Sequence, residues 1–168
     1  MEYLKLVDIC GLKETGILTT GIHKGHSLIV MGEPNTGKTS LVMNFVAMSP
    51  LPKYIKTYKD SVDMKDVFDR MKRPVTRIWE LSKDEIAESL VIADNISNDE
   101  IAEVIKGYGT QFMVTTTEEV SVENVMTAME NGKTVLVVEM NREGHAKPFI
   151  ERIVRIGESA EIEEVFSR

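Results

Sequence analysis

Residues Gly32-Glu33-Pro34-Asn35-Thr36-Gly37-Lys38-Thr39 fit the pattern G-x-x-x-x-G-K-[ST], and with their flanks they constrain this chain more than any other stretch. The run before them, "SLIVMG", is short and continuously apolar, which predicts a buried strand. The run after them, "KTSLVMNFVAM", has apolar residues at helical spacing and stops before "SPLP", whose prolines cannot continue a helix. A strand that enters a tight loop and leaves as a helix makes an anion site. Gly32 and Gly37 allow the turn and a close backbone approach, and the helix start offers unpaired N–H groups at the positive end of its dipole. Lys38 would set a cation between the β- and γ-phosphates of a nucleoside triphosphate, and Thr39 would offer a hydroxyl to Mg²⁺. Glu33, Pro34, Asn35 and Thr36 supply the wrapping backbone, and Ser40 falls near the α-phosphate. The guanine-reading pattern N-K-x-D is absent, which favours ATP.

Elsewhere, apolar runs alternate with amphipathic ones, the pattern of an α/β chain with a mainly parallel sheet. "KYIKTY", "VTRIWEL", "SLVIAD" and "QFMVTTT" read as strands, and "SVDMKDVFDRM" and "SVENVMTAMENG" as helices, the latter closed by Gly132. "SKDE" (Ser82–Glu85) and "SNDE" (Ser97–Glu100) match the capping box that starts a helix. "KTVLVVEMNREGHAKPFIERIVRIG" reads as a β-hairpin turning at Asn141–Gly144, with Pro148 on its edge. No linker, repeat or low-complexity run interrupts the 168 residues, so one domain over 1–168 is expected.

A formal charge of −7 argues against electrostatic wrapping of nucleic acid, although Lys53 to Arg77 leans basic and could contact phosphates locally. The tail "GESAEIEEVFSR" leans acidic. A single cysteine, Cys10, makes neither an internal disulfide nor a multi-thiolate metal site, and no segment approaches the ~18 apolar residues of a membrane span. A cytoplasmic location is expected.

Mg²⁺ at such a loop needs an acid at the end of a neighbouring buried strand, and "LVIAD" offers Asp94. Its structural alternative is an aspartate that only helps start the next helix. Glu139, at the end of "VLVVEM", is a competing acid later in the chain. Thr115, Thr116 and Thr117 could sense a γ-phosphate, or serve only as β-formers at a strand end. His23, His26 and His145 lack metal-ligand spacing.

Taken in order, several segments resemble the ATPases of type II and type IV secretion, conjugation and pilus retraction. "DICGLKETGILTTGIHKGHSLIVMGEPNTGKTSL" is similar to their approach to the phosphate loop, "YIKTYKDSVDM" to their acidic box and "VTRIWELSKDEIAESLVIADNIS" to the stretch before their second acid motif. "VTTTEEVSVENVMTAM" resembles their histidine box, and "VVEMNREGHAKPFIERIVRIGE" their closing hairpin. The resemblance implies a three-layer RecA-like fold, a mainly parallel sheet with a C-terminal hairpin, and an ATP-driven motor domain without that family's N-terminal domain. It also implies departures. Lys59 stands where the family keeps a water-activating glutamate, with Asp60 next to it as the candidate catalytic acid beside Lys38 and Asp94. Glu118 aligns with the histidine, and the second motif's glutamate aligns with Asn95 or Asp94. "GIHKGHSLIVMGEPNTGKTSLVMNFV" also looks like the start of RecA/KaiC-type domains, and its loop like that of viral superfamily 3 helicases.

Three functions follow as expectations. One is a ring-forming homo-oligomeric motor that moves a protein, pilus or DNA cargo and uses an arginine from a neighbouring subunit, with Arg73, Arg77, Arg142 and Arg152 as candidates. The second is a slow or inactive nucleotide-binding regulator, favoured by Lys59 and Asn95. The third is a DNA replication or recombination protein.

Overall fold

β1 (Ser27–Met31) is buried at every position, and the fold is arranged around it. A strand buried on both faces needs apolar residues throughout, which "SLIVM" supplies after its first serine. The computed structural model of the chain describes residues 4–46, 54–57, 75–77, 84, 89–108, 111–128, 134–157 and 161–168. Ahead of β1 lie α1 (Leu6–Ile9) and α2 (Leu12–His23), and after the phosphate loop comes α3 (Lys38–Val46). Then follow β2 (Tyr54–Thr57), β3 (Val75–Arg77), β4 (Ser89–Ala93), α4 (Asn98–Tyr108), β5 (Phe112–Thr116) and α5 (Val122–Ala128). The chain finishes with β6 (Val135–Asn141), β7 (Phe149–Ile156) and β8 (Ile162–Ser167).

The strands form one sheet in the order β3-β2-β4-β5-β1-β6-β7-β8. Every pairing from β3 to β6 is parallel, and β7 and β8 add antiparallel pairings beyond β6. The C-terminal ends of β4, β5, β1 and β6 therefore share one edge, where sheets of this kind bind ligands. Alternate residues of β1 serve opposite layers. Leu28 and Val30 pack with Leu18, Ile22, Leu41 and Phe45 from α2 and α3. Ile29 and Met31 pack with Ile101, Val104 and Val125 from α4 and α5. Helices on both faces of a mainly parallel sheet make the three layers expected from the sequence.

The Ser97–Glu100 capping box forms as read: Ser97 N–H donates to Glu100 Oε1 at 3.3 Å and Glu100 N–H to Ser97 Oγ at 3.3 Å. The hairpin forms too, but its loop runs on to Pro148 before β7 begins, with a turn in which Ala146 N–H donates to Glu143 O at 3.0 Å. The acidic tail, for which no element was read, forms a strand: residues 162–167 are β8. Val165 and Phe166 pack against the core while Glu163 and Glu164 face solvent, so the charges blunt an exposed sheet edge. The helix read over "SVDMKDVFDRM", the Ser82–Glu85 cap as a pair and the Gly132 stop lie outside the described residues.

Phe45 has no exposed surface and sits between α3 and the sheet. Phe45→Ala should cost about 3–5 kcal/mol in urea unfolding. A loss below about 1 kcal/mol would show that this layer does not close on the phenylalanine.

Candidate functional site

The loop between β1 and α3 is shaped by steric needs that single out its glycines. A Cβ at Gly32 would lie 2.6 Å from the Met140 carbonyl oxygen, a backbone atom that cannot swing away. Gly37 has φ +82, a left-handed conformation that disfavours any side chain. Within the loop, Thr36 Oγ1 donates to Glu33 O at 2.8 Å and Lys38 Nζ donates to the same carbonyl at 2.7 Å. Glu33, Pro34 and Asn35 are exposed, whereas Thr36 and Lys38 are buried. Burial pushes the Lys38 ammonium below its ordinary pKa, and the nearby Asp94 charge opposes that shift.

Asp94 stands just past β4 and meets the loop across 55 positions of sequence: Thr39 Oγ1 donates to Asp94 Oδ1 at 2.8 Å. Thr115 Oγ1, near the end of β5, donates to the same oxygen at 2.6 Å and accepts the Asn95 N–H at 2.8 Å. The structure thus brings Lys38, Thr39 and Asp94 to one edge of the sheet. Of the neighbouring threonines, Thr116 is buried and accepts the Glu118 N–H at 3.1 Å, while Thr117 is exposed. Glu118 in turn accepts the Asn98 N–H at 2.9 Å, at the start of α4. Ser40 faces elsewhere: its Oγ accepts the Leu4 N–H at 3.0 Å, under the N-terminal segment.

Glu139, the competing acid, lies on β6, across β1 from β4, and pairs with Arg152 at 3.3 Å. With Gly32, Glu33, Glu118 and Glu119 it lines a cleft of about 310 Å³. Arg142 leaves β6 to reach the loop: its Nη1 donates to Asn35 O at 3.2 Å and its Nε to Ala146 O at 2.7 Å. No local signal marks that contact, which depends on the hairpin's fold. Asp60, Lys59 and Arg73 lie outside the described residues, as does the Arg77 side chain.

The donor set suits a hard cation. Thr39 and Asp94 offer oxygen ligands, and among the described residues no cluster of three or more His, Cys, Asp or Glu could cage a metal alone. Mg²⁺ is held in that manner, by one or two protein oxygens together with substrate phosphates and water.

Neither a protein-family model nor a curated protein matches the chain. Its fold is that of a P-loop ATPase. It is similar to the VirB11 ATPase of the Brucella suis type IV secretion system, solved in complex with sulphate, at 13% identity and a TM-score of 0.54, covering 83% of this chain and 51% of that one. Weaker likenesses are to the Legionella pneumophila ATPase DotB (10% identity, TM-score 0.49, 84% and 48% covered) and to a KaiC-like protein of Pyrococcus horikoshii (8%, TM-score 0.37, 83% and 84% covered). The chain spans about half the length of the two secretion ATPases. No helix among the described residues is long and apolar enough to cross a membrane.

Thr115→Val keeps shape and removes the hydroxyl, leaving the Asn95 N–H and Asp94 each short of a partner. It should cost about 1–3 kcal/mol, while Thr115→Ser should hold most of the parent's stability. Equal urea midpoints for Thr115→Val and parent would show that this hydroxyl does not secure the end of β4.

Proposed function

We propose that the chain binds Mg-ATP through Gly32–Ser40 and hydrolyses it. Loop amides and Lys38 hold the phosphates. Thr39 and Asp94 would hold Mg²⁺, directly or through water, where the ion would supply charge neutralisation at the triphosphate. The observation that carries this reading is the Thr39–Asp94 hydrogen bond, which puts the loop hydroxyl beside the strand-end acid in the pairing that a Mg-triphosphate requires. Asp60 is the candidate water-activating acid. In the cytoplasm the sequence 1–168 acts as one domain, working in a homo-oligomer, ring-shaped in the motor reading, that moves a protein, pilus or DNA cargo. The likeness in fold to a secretion-system ATPase supports that reading.

Asn95 favours a second reading, a slow ATP-dependent switch. It is exposed next to Asp94, and an amide can orient water but cannot take its proton.

Lys38→Ala should abolish Mg-ATP binding in calorimetric titration, and Asp94→Asn should weaken it and flatten its Mg²⁺ dependence. Unchanged affinity in Lys38→Ala would sink the reading. Turnover measured alongside particle size, with and without ATP, separates motor from switch: an ATP-dependent ring with turnover supports the first, and a lone subunit without turnover the second.

Proton linkage gives an independent check. A bound polyanion raises the pKa of Lys38, which burial holds below 10.5 in the free protein. Binding should therefore take up a proton at pH values between the free and bound pKa, and affinity should fall as pH rises through that window. Titrations in buffers of different ionisation enthalpy would expose the uptake, and a binding enthalpy independent of buffer in that window would refute it.

A further inference from the structure

The phosphate loop has two sides. Asp94 marks one, past the end of β4, where the metal-bearing end of a triphosphate would lie. In the strand order, β6, β7 and β8 occupy the other side of β1. There a cleft of about 330 Å³ opens between the N-terminal segment, at Ile9 and Cys10, and the closing strands, at Pro148, Phe149, Phe166 and Arg168. Two of its walls touch the loop itself: a Cβ at Gly37 would meet Pro148 Cβ at 3.3 Å and Ile9 Cγ2 at 3.6 Å. The N-terminal segment also crosses the first turns of α3, where Leu4 N–H donates to Ser40 Oγ at 3.0 Å and Asn44 Nδ2 donates to Leu4 O at 2.9 Å. Ile9 and Pro148 therefore line the cleft and also touch the phosphate loop at Gly37.

Its walls suit a flat aromatic ring. Pro148 and Ile150 are buried, and Phe149 and Phe166 are half-buried. The Arg168 guanidinium lies 3.6 Å from the Phe149 ring centroid, so a planar, weakly hydrated cation extends that ring's stacking surface. The volume falls at the lower end of the roughly 300–1,000 Å³ typical of ligand pockets. We propose that this cleft receives the nucleobase of the triphosphate held by the loop, with the Phe149–Arg168 stack as its recognition wall. This rests on the phosphate-loop reading above and adds to it the site that distinguishes a nucleotide from a bare polyphosphate.

The test compares ATP with inorganic tripolyphosphate, both with Mg²⁺, on the full chain. The parent should bind ATP about tenfold or more tightly than tripolyphosphate, because stacking on one base is worth that much. Arg168→Ala, at an exposed position, and Phe149→Leu, which keeps apolar bulk in β7, should each remove most of that preference and leave tripolyphosphate binding unchanged. ATP, and not tripolyphosphate, should also slow alkylation of Cys10, the one cysteine of the chain. The labelling is best run at alkaline pH, because burial pushes this thiol up to about 11. Equal affinity for the two ligands in the parent, or variants that keep its full preference, would overturn the proposal while the loop reading stands. A parent that binds neither ligand would overturn both.

Discussion

One carboxylate oxygen connects the parts of this site. Asp94 Oδ1 accepts the hydroxyls of Thr39 and Thr115, at 2.8 and 2.6 Å. Those groups belong to the first turn of α3 and to the end of β5, and Asp94 itself follows β4. β4 does not touch β1, because β5 lies between them. The shared oxygen therefore sets how the end of β4 stands relative to the phosphate loop, with Thr115 as the spacer. A partly buried carboxylate without donors would be costly, and two hydroxyls satisfy it without adding charge. A cation entering beside Thr39 would meet an acid already aimed by a neighbouring strand.

Lys38 presents the complementary situation. Its ammonium is buried with a neutral carbonyl, that of Glu33, as hydrogen-bond acceptor, and Thr36 donates to the same oxygen. The loop is thus folded on its own backbone. A charged acceptor serves an ammonium far better than a carbonyl does, since charge-assisted hydrogen bonds are roughly twice as strong as neutral ones. The desolvation that lowers the Lys38 pKa is a cost that a polyphosphate would offset. Arg142, donating to the Asn35 carbonyl, restrains the loop from the hairpin side, so less conformational freedom would be lost on binding.

How much of this was legible in the sequence depended on whether the signal was local. β1, β4 and β5 read directly as strands because parallel strands buried on both faces must be apolar runs. The Ser97–Glu100 cap read directly because both partners lie within one turn. β8 did not, because an edge strand carries charges on its open face and "EIEEVF" looks like a solvated tail. Asp94 was found by its place at a strand end, but its bond to Thr39 spans 55 positions and required the sheet. The cleft beside the N-terminal segment was invisible for the same reason: its walls come from residues 7–11 and 14 and from 148–150, 166 and 168, which no local pattern associates. The Leu4–Ser40 and Arg142–Asn35 contacts belong with it.

Asn95 answers a backbone demand that motif reasoning alone does not register. Beside a strand-end acid, asparagine in place of glutamate reads as lost catalytic power. The backbone supplies a different reason for the residue. Asn95 has φ +53, and its N–H is held by Thr115 Oγ1. Asparagine tolerates the left-handed region because its short amide can hydrogen-bond locally, whereas most L-residues pay roughly 1–2 kcal/mol there. A glutamate at this position would strain the turn that aims Asp94. The demand for a left-handed turn and the demand for a base therefore compete at one residue, and here the turn prevails. A hydrolase built in this way would have to take its water-activating group from another segment or turn over slowly, and both routes would leave the phosphate loop and its acid intact.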